Sequence, residues 1–278
     1  MWEMLLSNLV QRILFAIPAG IFFIWIIWLG GWYFQGVIIV IGVFTIYEII
    51  RILENSSTPT DAYFPYFFGL WVMLCHTLPY AFEIGVGVLI LFFAMQTFST
   101  SAHSHNTLST TLFAGLYAPL GFLCFTLINN MGATTDGFIL SIMLLLMVWG
   151  SDVFAYFGGK TFGKHQLASN ISPNKTWEGF FSGYVGSFVG GIAIFYFVPL
   201  SMPMKLLQLL PMAVLVATFG PIGDLLESKM KRKANMKDSS NILPGHGGFF
   251  DRFDALILAA PVAYVYLTIM DIIGFISI

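Results

Sequence analysis

Apolar residues in this chain gather in runs of 15 to 22 positions, each closed by a short polar or Gly/Pro-containing break. A bilayer hydrocarbon core about 30 Å thick takes roughly 20 such residues per helix, so the runs predict membrane-spanning helices. Nine are readable, at 11–29, 33–52, 63–81, 84–98, 108–128, 137–157, 177–198, 206–225 and 255–275. Pro79 and Glu83 crowd the break between the third and fourth, which are the least distinct as separate helices. The first run is too long and uniformly apolar for a cleaved signal peptide, so it reads as a retained helix. No internal repeat, low-complexity stretch or Pro/Ser-rich linker divides the chain. Its longest polar segment, about 226–254, is too short to fold alone. The expected architecture is an all-α, polytopic integral-membrane domain over 1–278. In it 1–135 are scaffold helices and 136–278 are a catalytic half with loops at 158–176 and 226–254.

Composition sharpens this picture. Of 278 residues, 58% are hydrophobic and 9% charged, and mean hydropathy is +0.84. A soluble domain carries about 25% charged residues. The 12 Lys+Arg and 14 Asp+Glu therefore exclude an ordinary soluble enzyme, a basic-faced nucleic-acid binder and a disordered chain, and no nucleic-acid partner is expected. Cys75 and Cys124 sit inside apolar runs and read as packing residues. Nine spans put 11 of the 12 basic residues on one side, all but Lys205. The positive-inside rule then places the N-terminus and those loops in the cytoplasm and the C-terminus outside. Charge is also uneven along the chain, with eight charged residues from Met1 to Gly150 and 17 from Ser151 to Asp254.

That charged stretch holds the candidate chemistry. Asp152 follows Trp149-Gly150-Ser151 near the end of the sixth run. A carboxylate at membrane depth faces a cavity, a cation or a partner; the plainer reading is a solvated interfacial Asp. Gly158-Gly159-Lys160-Thr161 lacks the spacing of a phosphate-binding P-loop. Lys160 and Lys164 read as topology signals. Ser172-Pro173-Asn174-Lys175-Thr176-Trp177-Glu178 reads as a helix start, with Ser172 or Asn174 as cap and Lys175 beside a candidate anion site. Gly186 and Gly190 stand in GxxxG spacing, a close-packing signal within the chain or between protomers.

After Gly220-Pro221 come Asp224 and Glu227, and just before the ninth run come Asp251 and Asp254. Each pair is spaced i, i+3, on one helix face. Between them lie Lys229, Lys231, Arg232, Lys233, Lys237 and Leu243-Pro244-Gly245-His246-Gly247-Gly248. Paired carboxylates suit Mg²⁺, and the basic residues suit phosphates. Backbone N–H groups of the glycine stretch suit an anion. A loop that only sets topology needs Lys and Arg, but not two acidic pairs around a Pro-Gly-His-Gly-Gly stretch.

These residues resemble the signature of the phosphatidate cytidylyltransferase (CDP-diacylglycerol synthase) family. The match is carried by Ser228, Met230, Lys231, Arg232, Lys237, Asp238, Pro244, His246, Gly247, Gly248, Phe249, Asp251, Arg252, Phe253 and Asp254. Family-like segments also begin at Asp152 and Ser172, so the strong resemblance covers about 149–261. It implies a polytopic helical enzyme, a homodimer in the bilayer, with CTP and phosphatidate as substrates. It also implies Mg²⁺, with a second cation such as K⁺ beside it. On this resemblance Asp224 and Asp251 hold the divalent cation, with Glu227, Asp254 and Asp152 as outer ligands or neighbours. Lys175, Lys231, Arg232, Lys237 and Arg252 hold phosphates, with Ser228, Asp238, Gly247 and Gly248 shaping the substrate site. His246 contacts phosphate or orders the glycine loop.

Two other readings stay open. A CTP-dependent polyprenol-, dolichol- or phytol-type lipid kinase would share nucleotide and topology. An ion-coupled transporter would place its charges near mid-span around an internal repeat. The absence of a long soluble N-terminal extension favours a bacterial inner membrane over the endoplasmic reticulum.

Overall fold

A computed structural model describes residues 2–98, 104–198, 203–243 and 245–276. Pro244 and the side chain of Arg12 lie outside the described residues. The helices are α1 (Trp2–Leu29), α2 (Gly31–Asn55), α3 (Phe64–Leu74), α4 (Ala81–Thr97), α5 (Ser104–Asn129), α6 (Thr134–Phe162), α7 (Trp177–Phe197), α8 (Leu206–Lys233) and α9 (Phe250–Ile272). Between α6 and α7 stands an antiparallel ribbon of β1 (Gln166–Ala168) and β2 (Ser172–Thr176), in register Gln166↔Thr176 and Ala168↔Ser172. The ribbon is a small departure from the all-α expectation.

Six of the described helices are long and apolar enough to cross a bilayer: α2, α5, α6, α7, α8 and α9. The described apolar stretch of α1 (Ala16–Leu29), α3 and α4 are shorter. Nine helices therefore do not amount to nine established spans. The run at 63–81 does not become one helix, because the ring of Pro79 would collide with the carbonyl four residues earlier. α3 ends at Leu74 after 11 residues, about 16 Å at 1.5 Å per residue. Its start is set by Asp61, whose Oδ1 accepts from the amides of Tyr63 and Phe64 at 2.8 and 2.9 Å.

The ends of the bundle are tied by long-range hydrogen bonds. Asp61 N donates to Thr111 Oγ1 (3.0 Å), and Thr110 Oγ1 donates to Pro59 O (2.5 Å). The end of α2 and the start of α5 therefore share one end of the bundle, to which α3 and α4 return the chain. At the opposite end Asn129 Nδ2 donates to Ile27 O and Ser141 Oγ, both at 3.2 Å. Lys205 lies at that end too, since its neighbour Gln208 reaches Phe275 O at 2.6 Å.

Fully buried Phe34, Phe122, Phe125, Leu144, Val216 and Ala259 centre the core. Trp25, Trp32, Phe82, Phe181 and Leu207 stay exposed, as a lipid-facing surface permits, since acyl chains are as apolar as these side chains.

The glycines of α7 pack within the chain. A Cβ on Gly186 would strike Gly150 O of α6 and lie 2.7 Å from Phe154 Cβ, and one on Gly190 would strike Leu146 O. Gly186→Leu is expected to destabilise the fold by at least about 1–3 kcal/mol, the usual cost of overpacking. Thermal unfolding in detergent measures this; an unchanged midpoint would show that the α6–α7 crossing tolerates separation.

Candidate active site

α8 runs without interruption through Pro221 to Lys233, so Asp224, Glu227, Ser228, Lys231 and Arg232 are helical rather than part of a loop. Asp251 and Asp254 likewise fall in the first turns of α9. The intervening loop is therefore 234–249. α8 and α9 approach closely at Gly223, where a Cβ would strike Asp254 O. That contact brings Asp224, Glu227 and Asp254 together, with one carboxylate oxygen from each within 4.8 Å of the others. Glu227 is 1% exposed. Its Oε2 meets Lys231 Nζ at 3.0 Å, while its buried Oε1 has no hydrogen-bond partner among the described residues. Carboxylates this close repel one another at low dielectric, and an orphaned buried oxygen is costly. A divalent cation would remove both penalties, so these three side chains fit one.

Asp251 does not join that group. Its Oδ1 accepts from Lys231 Nζ (2.6 Å), and its Oδ2 from Ser239 N (2.9 Å), Ser239 Oγ (2.8 Å) and Gly248 N (2.7 Å). Asp251, expected as a ligand with Asp224, lies outside the three-carboxylate group and on the far side of Lys231 from Glu227. The cause is the loop: Gly247, at φ +80°, folds it back so tightly that a Cβ there would lie 2.6 Å from Asp251 Oδ2. Gly248 N is spent on Asp251 rather than turned to an external anion.

β2 carries Lys175 to Asp224, with which it forms an ion pair, and Ser228 Oγ donates to Asp224 Oδ1 at 3.3 Å. Thr176, not Ser172 or Asn174, caps α7, its Oγ1 accepting from Gly179 N at 3.1 Å. Ser172–Thr176 are extended, so the cap falls at the strand's last residue. Glu178 ties down the approach to β1, accepting from the amides of Lys164 (3.1 Å) and His165 (3.2 Å) and pairing with His165 Nδ1 at 2.6 Å. Lys160 lies over the Tyr156 ring, 5.9 Å from its centroid. Arg232 is engaged with Ile171 O (3.4 Å) and Met236 O (3.3 Å), and Arg252 Nε donates to His246 O (2.9 Å).

Two cavities meet here. One, about 830 Å³, is mostly apolar and runs between α1, α2, α6 and α9, past Trp32, Tyr33 and Trp149 to Asp152, Arg252 and Asp254. The other, about 320 Å³, is polar and lined by Lys237, Asp238, Asn241 and Gly247 among others. Leu243, His246 and Arg252 border both.

Glu48 of α2 also reaches this region, although residues 1–135 read as scaffold. It is completely buried, and its oxygens accept four hydrogen bonds from the 239–250 segment. A lone carboxylate inside an otherwise apolar run is the signal that marks such a residue in a sequence.

Fold and site together define an integral-membrane protein in which the acids of α8 and α9 and the lysines beside them gather at one end of a helical bundle. The chain belongs to the cytidylyltransferase family, which it matches over residues 10–270, and is a nucleotidyltransferase by that membership. It is 30% identical over 272 residues to the phosphatidate cytidylyltransferase of Bacillus subtilis (strain 168), covering 94% of this chain and 98% of that protein. With the phosphatidate cytidylyltransferase of Brucella abortus biovar 1 (strain 9-941) identity is 33% over 266 residues, 94% of each. With that of Staphylococcus aureus (strain COL) it is 40% over 151 residues, 54% of this chain and 55% of that protein.

Proposed function

We propose that the protein is a CTP:phosphatidate cytidylyltransferase of a bacterial cytoplasmic membrane, making CDP-diacylglycerol and pyrophosphate. The observation that carries this reading is the junction of an apolar cavity and a polar one at Leu243, His246 and Arg252. An acyl chain suits the first, a nucleotide triphosphate the second. Family membership and relatives bearing that name support it.

In the reaction a phosphatidate oxygen attacks the α-phosphorus of CTP, a new P–O bond forms, and the bond to the β-phosphate breaks to release pyrophosphate. The lipid phosphate is already anionic, so the chain need not supply a strong base. It must instead bring two polyanions together. Lys175, Lys237 and Arg252 hold phosphates, with Lys231 and Arg232 adding positive charge behind them and His246 standing where the cavities join. Ser228 steadies Asp224, and Asp238 and Gly247 shape the polar cavity. Mg²⁺ at Asp224, Glu227 and Asp254, when bound, supplies positive charge against the triphosphate and leaving group. Asp251 holds the Lys231 ammonium beside that position. A second cation such as K⁺ near Asp152, and assembly as a homodimer, belong to the same proposal. The site end faces the cytoplasm, where CTP is found and where the basic residues point by the positive-inside rule.

Proteoliposomes given phosphatidate, Mg²⁺ and CTP labelled in the cytidine are expected to yield labelled lipid and pyrophosphate one to one. Release of CDP with a phosphorylated alcohol would assign a lipid kinase instead. Substrate-dependent ion flux without turnover would assign a transporter.

A further inference from the structure

Asp251 and Lys231 are held from a distance by a residue that the reaction described above does not use. Glu48 lies seven residues before the end of α2, at 0% exposure. Its Oε1 accepts from Ser240 Oγ (2.5 Å) and Phe249 N (3.1 Å), and its Oε2 from Ser239 Oγ (3.1 Å) and Phe250 N (2.6 Å). Each oxygen thus meets one hydroxyl and one backbone N–H, both groups that can donate to a carboxylate. Among the described residues Glu48 enters no ion pair with Lys, Arg or His. Its carboxyl group is met instead by two hydroxyls, one of them shared with Asp251, and by two backbone N–H groups at the start of α9, where helix amides lack internal partners.

This bonding continues into the active site. Ser239 Oγ stands 3.1 Å from Glu48 Oε2 and 2.8 Å from Asp251 Oδ2, and its single proton serves one of them at a time. Asp251 also takes Ser239 N and Gly248 N, and then meets Lys231, which meets Glu227. Gly248 lies so close that a Cβ on it would strike both Ser239 Oγ and the Glu48 carboxylate. The glycine is therefore needed for Glu48 to reach the turn.

We propose that Glu48 is a positioning residue for catalysis: from α2 it holds the 239–250 turn, and so sets where Asp251 and Lys231 stand beside the Asp224–Glu227–Asp254 group. The role rests on the cytidylyl-transfer reading, and it makes the N-terminal half part of the catalytic apparatus. Gln in this place keeps the shape but turns an NH₂ toward the backbone N–H of Phe249 or Phe250, so donor faces donor there and the turn shifts. A displacement of about 1 Å at a reacting centre costs on the order of 10²-fold in rate.

Glu48→Gln is therefore expected to lower kcat by on the order of 10²-fold, with KM for CTP and phosphatidate changed less than about threefold, because the shifted groups act on the transition state. Hydrogen exchange over 239–253 should rise in the same variant, a readout independent of activity. Asn129→Ala is the control: Asn129 is buried at the opposite end of the bundle, so it should lower the thermal midpoint while kcat stays at the wild-type value. A wild-type kcat in Glu48→Gln, or equal kcat losses in the two variants at matched loss of midpoint, would overturn the inference and leave the cytidylyltransferase reading standing. If the wild-type protein makes no CDP-diacylglycerol, that reading fails, and unchanged exchange in Glu48→Gln still refutes the positioning role. Should Glu48→Gln fail to fold, Ser240→Ala removes one donor to Oε1. It is expected to cost about three- to tenfold in kcat at unchanged KM, and full kcat there would refute the proposal.

Discussion

Asp224→Asn is expected to reduce CTP- and phosphatidate-dependent pyrophosphate release by about 10²–10³-fold, the loss that follows removal of one preorganised electrostatic contact. Asn keeps the volume and can still accept from Ser228, so the helix is undisturbed. What disappears is one of three carboxylates whose oxygens lie within 4.8 Å of each other, together with the anionic partner of Lys175. Without Mg²⁺ these losses oppose one another. Repulsion among the acids is relieved, but an ion pair about one-third exposed on its acidic side is given up, and such a pair contributes little. The cation-free thermal midpoint should therefore move by only a few degrees. With Mg²⁺ the two proteins should diverge, because a ligand that binds only the folded state raises its stability. The wild-type midpoint rises with Mg²⁺ and that of the variant does not. Turnover retained by Asp224→Asn, or an equal Mg²⁺ response in both proteins, would remove Asp224 from the cation site.

The second large effect is on stability. Lys231 is 9% exposed and lies between Glu227 (3.0 Å) and Asp251 (2.6 Å). Lys231→Met keeps most of the side-chain length and leaves two buried carboxylates facing each other without a cation. Removing one partner of a buried ion pair typically costs about 3–5 kcal/mol, most of it from the charge left behind. The thermal midpoint in detergent should fall by roughly 6 °C or more at 2–4 °C per kcal/mol. Lys231→Met with Glu227→Gln should recover part of that loss, since one of the two opposed charges is gone. A single variant as stable as wild type, or a double variant weaker than the single, would show that Lys231 does not neutralise this pair.

Much of this site can be read along the chain because its acids are locally spaced. Asp224 and Glu227 share a helix face by i, i+3 spacing, and Asp254 begins the next helix. Side determination is equally local, since each basic residue marks the loop it occupies. α3 is the counterexample within the same apolar pattern. Hydropathy sums over a window and shows 63–81 as continuous, whereas backbone hydrogen bonding is decided residue by residue, and Pro79 interrupts it. Pro221 gives the opposite result: α8 passes through it and carries to its own end the charges that hydropathy assigned to a loop.

By itself, the sequence determined a membrane protein, the clustering of its charges, the pairing of acids on the two helices and the family to which the chain belongs. Periodicity, charge and motif spacing are properties of neighbouring residues, and they survive without knowledge of the fold. Only the tertiary structure decided which acids meet. It joined Asp254 to Asp224 and Glu227 through the contact at Gly223, turned Asp251 away to Lys231 and the glycine turn, and brought Glu48 to amides some 200 residues distant. A buried carboxylate takes whatever donors the packing of helices presents to it. That packing depends on where small residues let two backbones touch, which no single stretch of sequence contains.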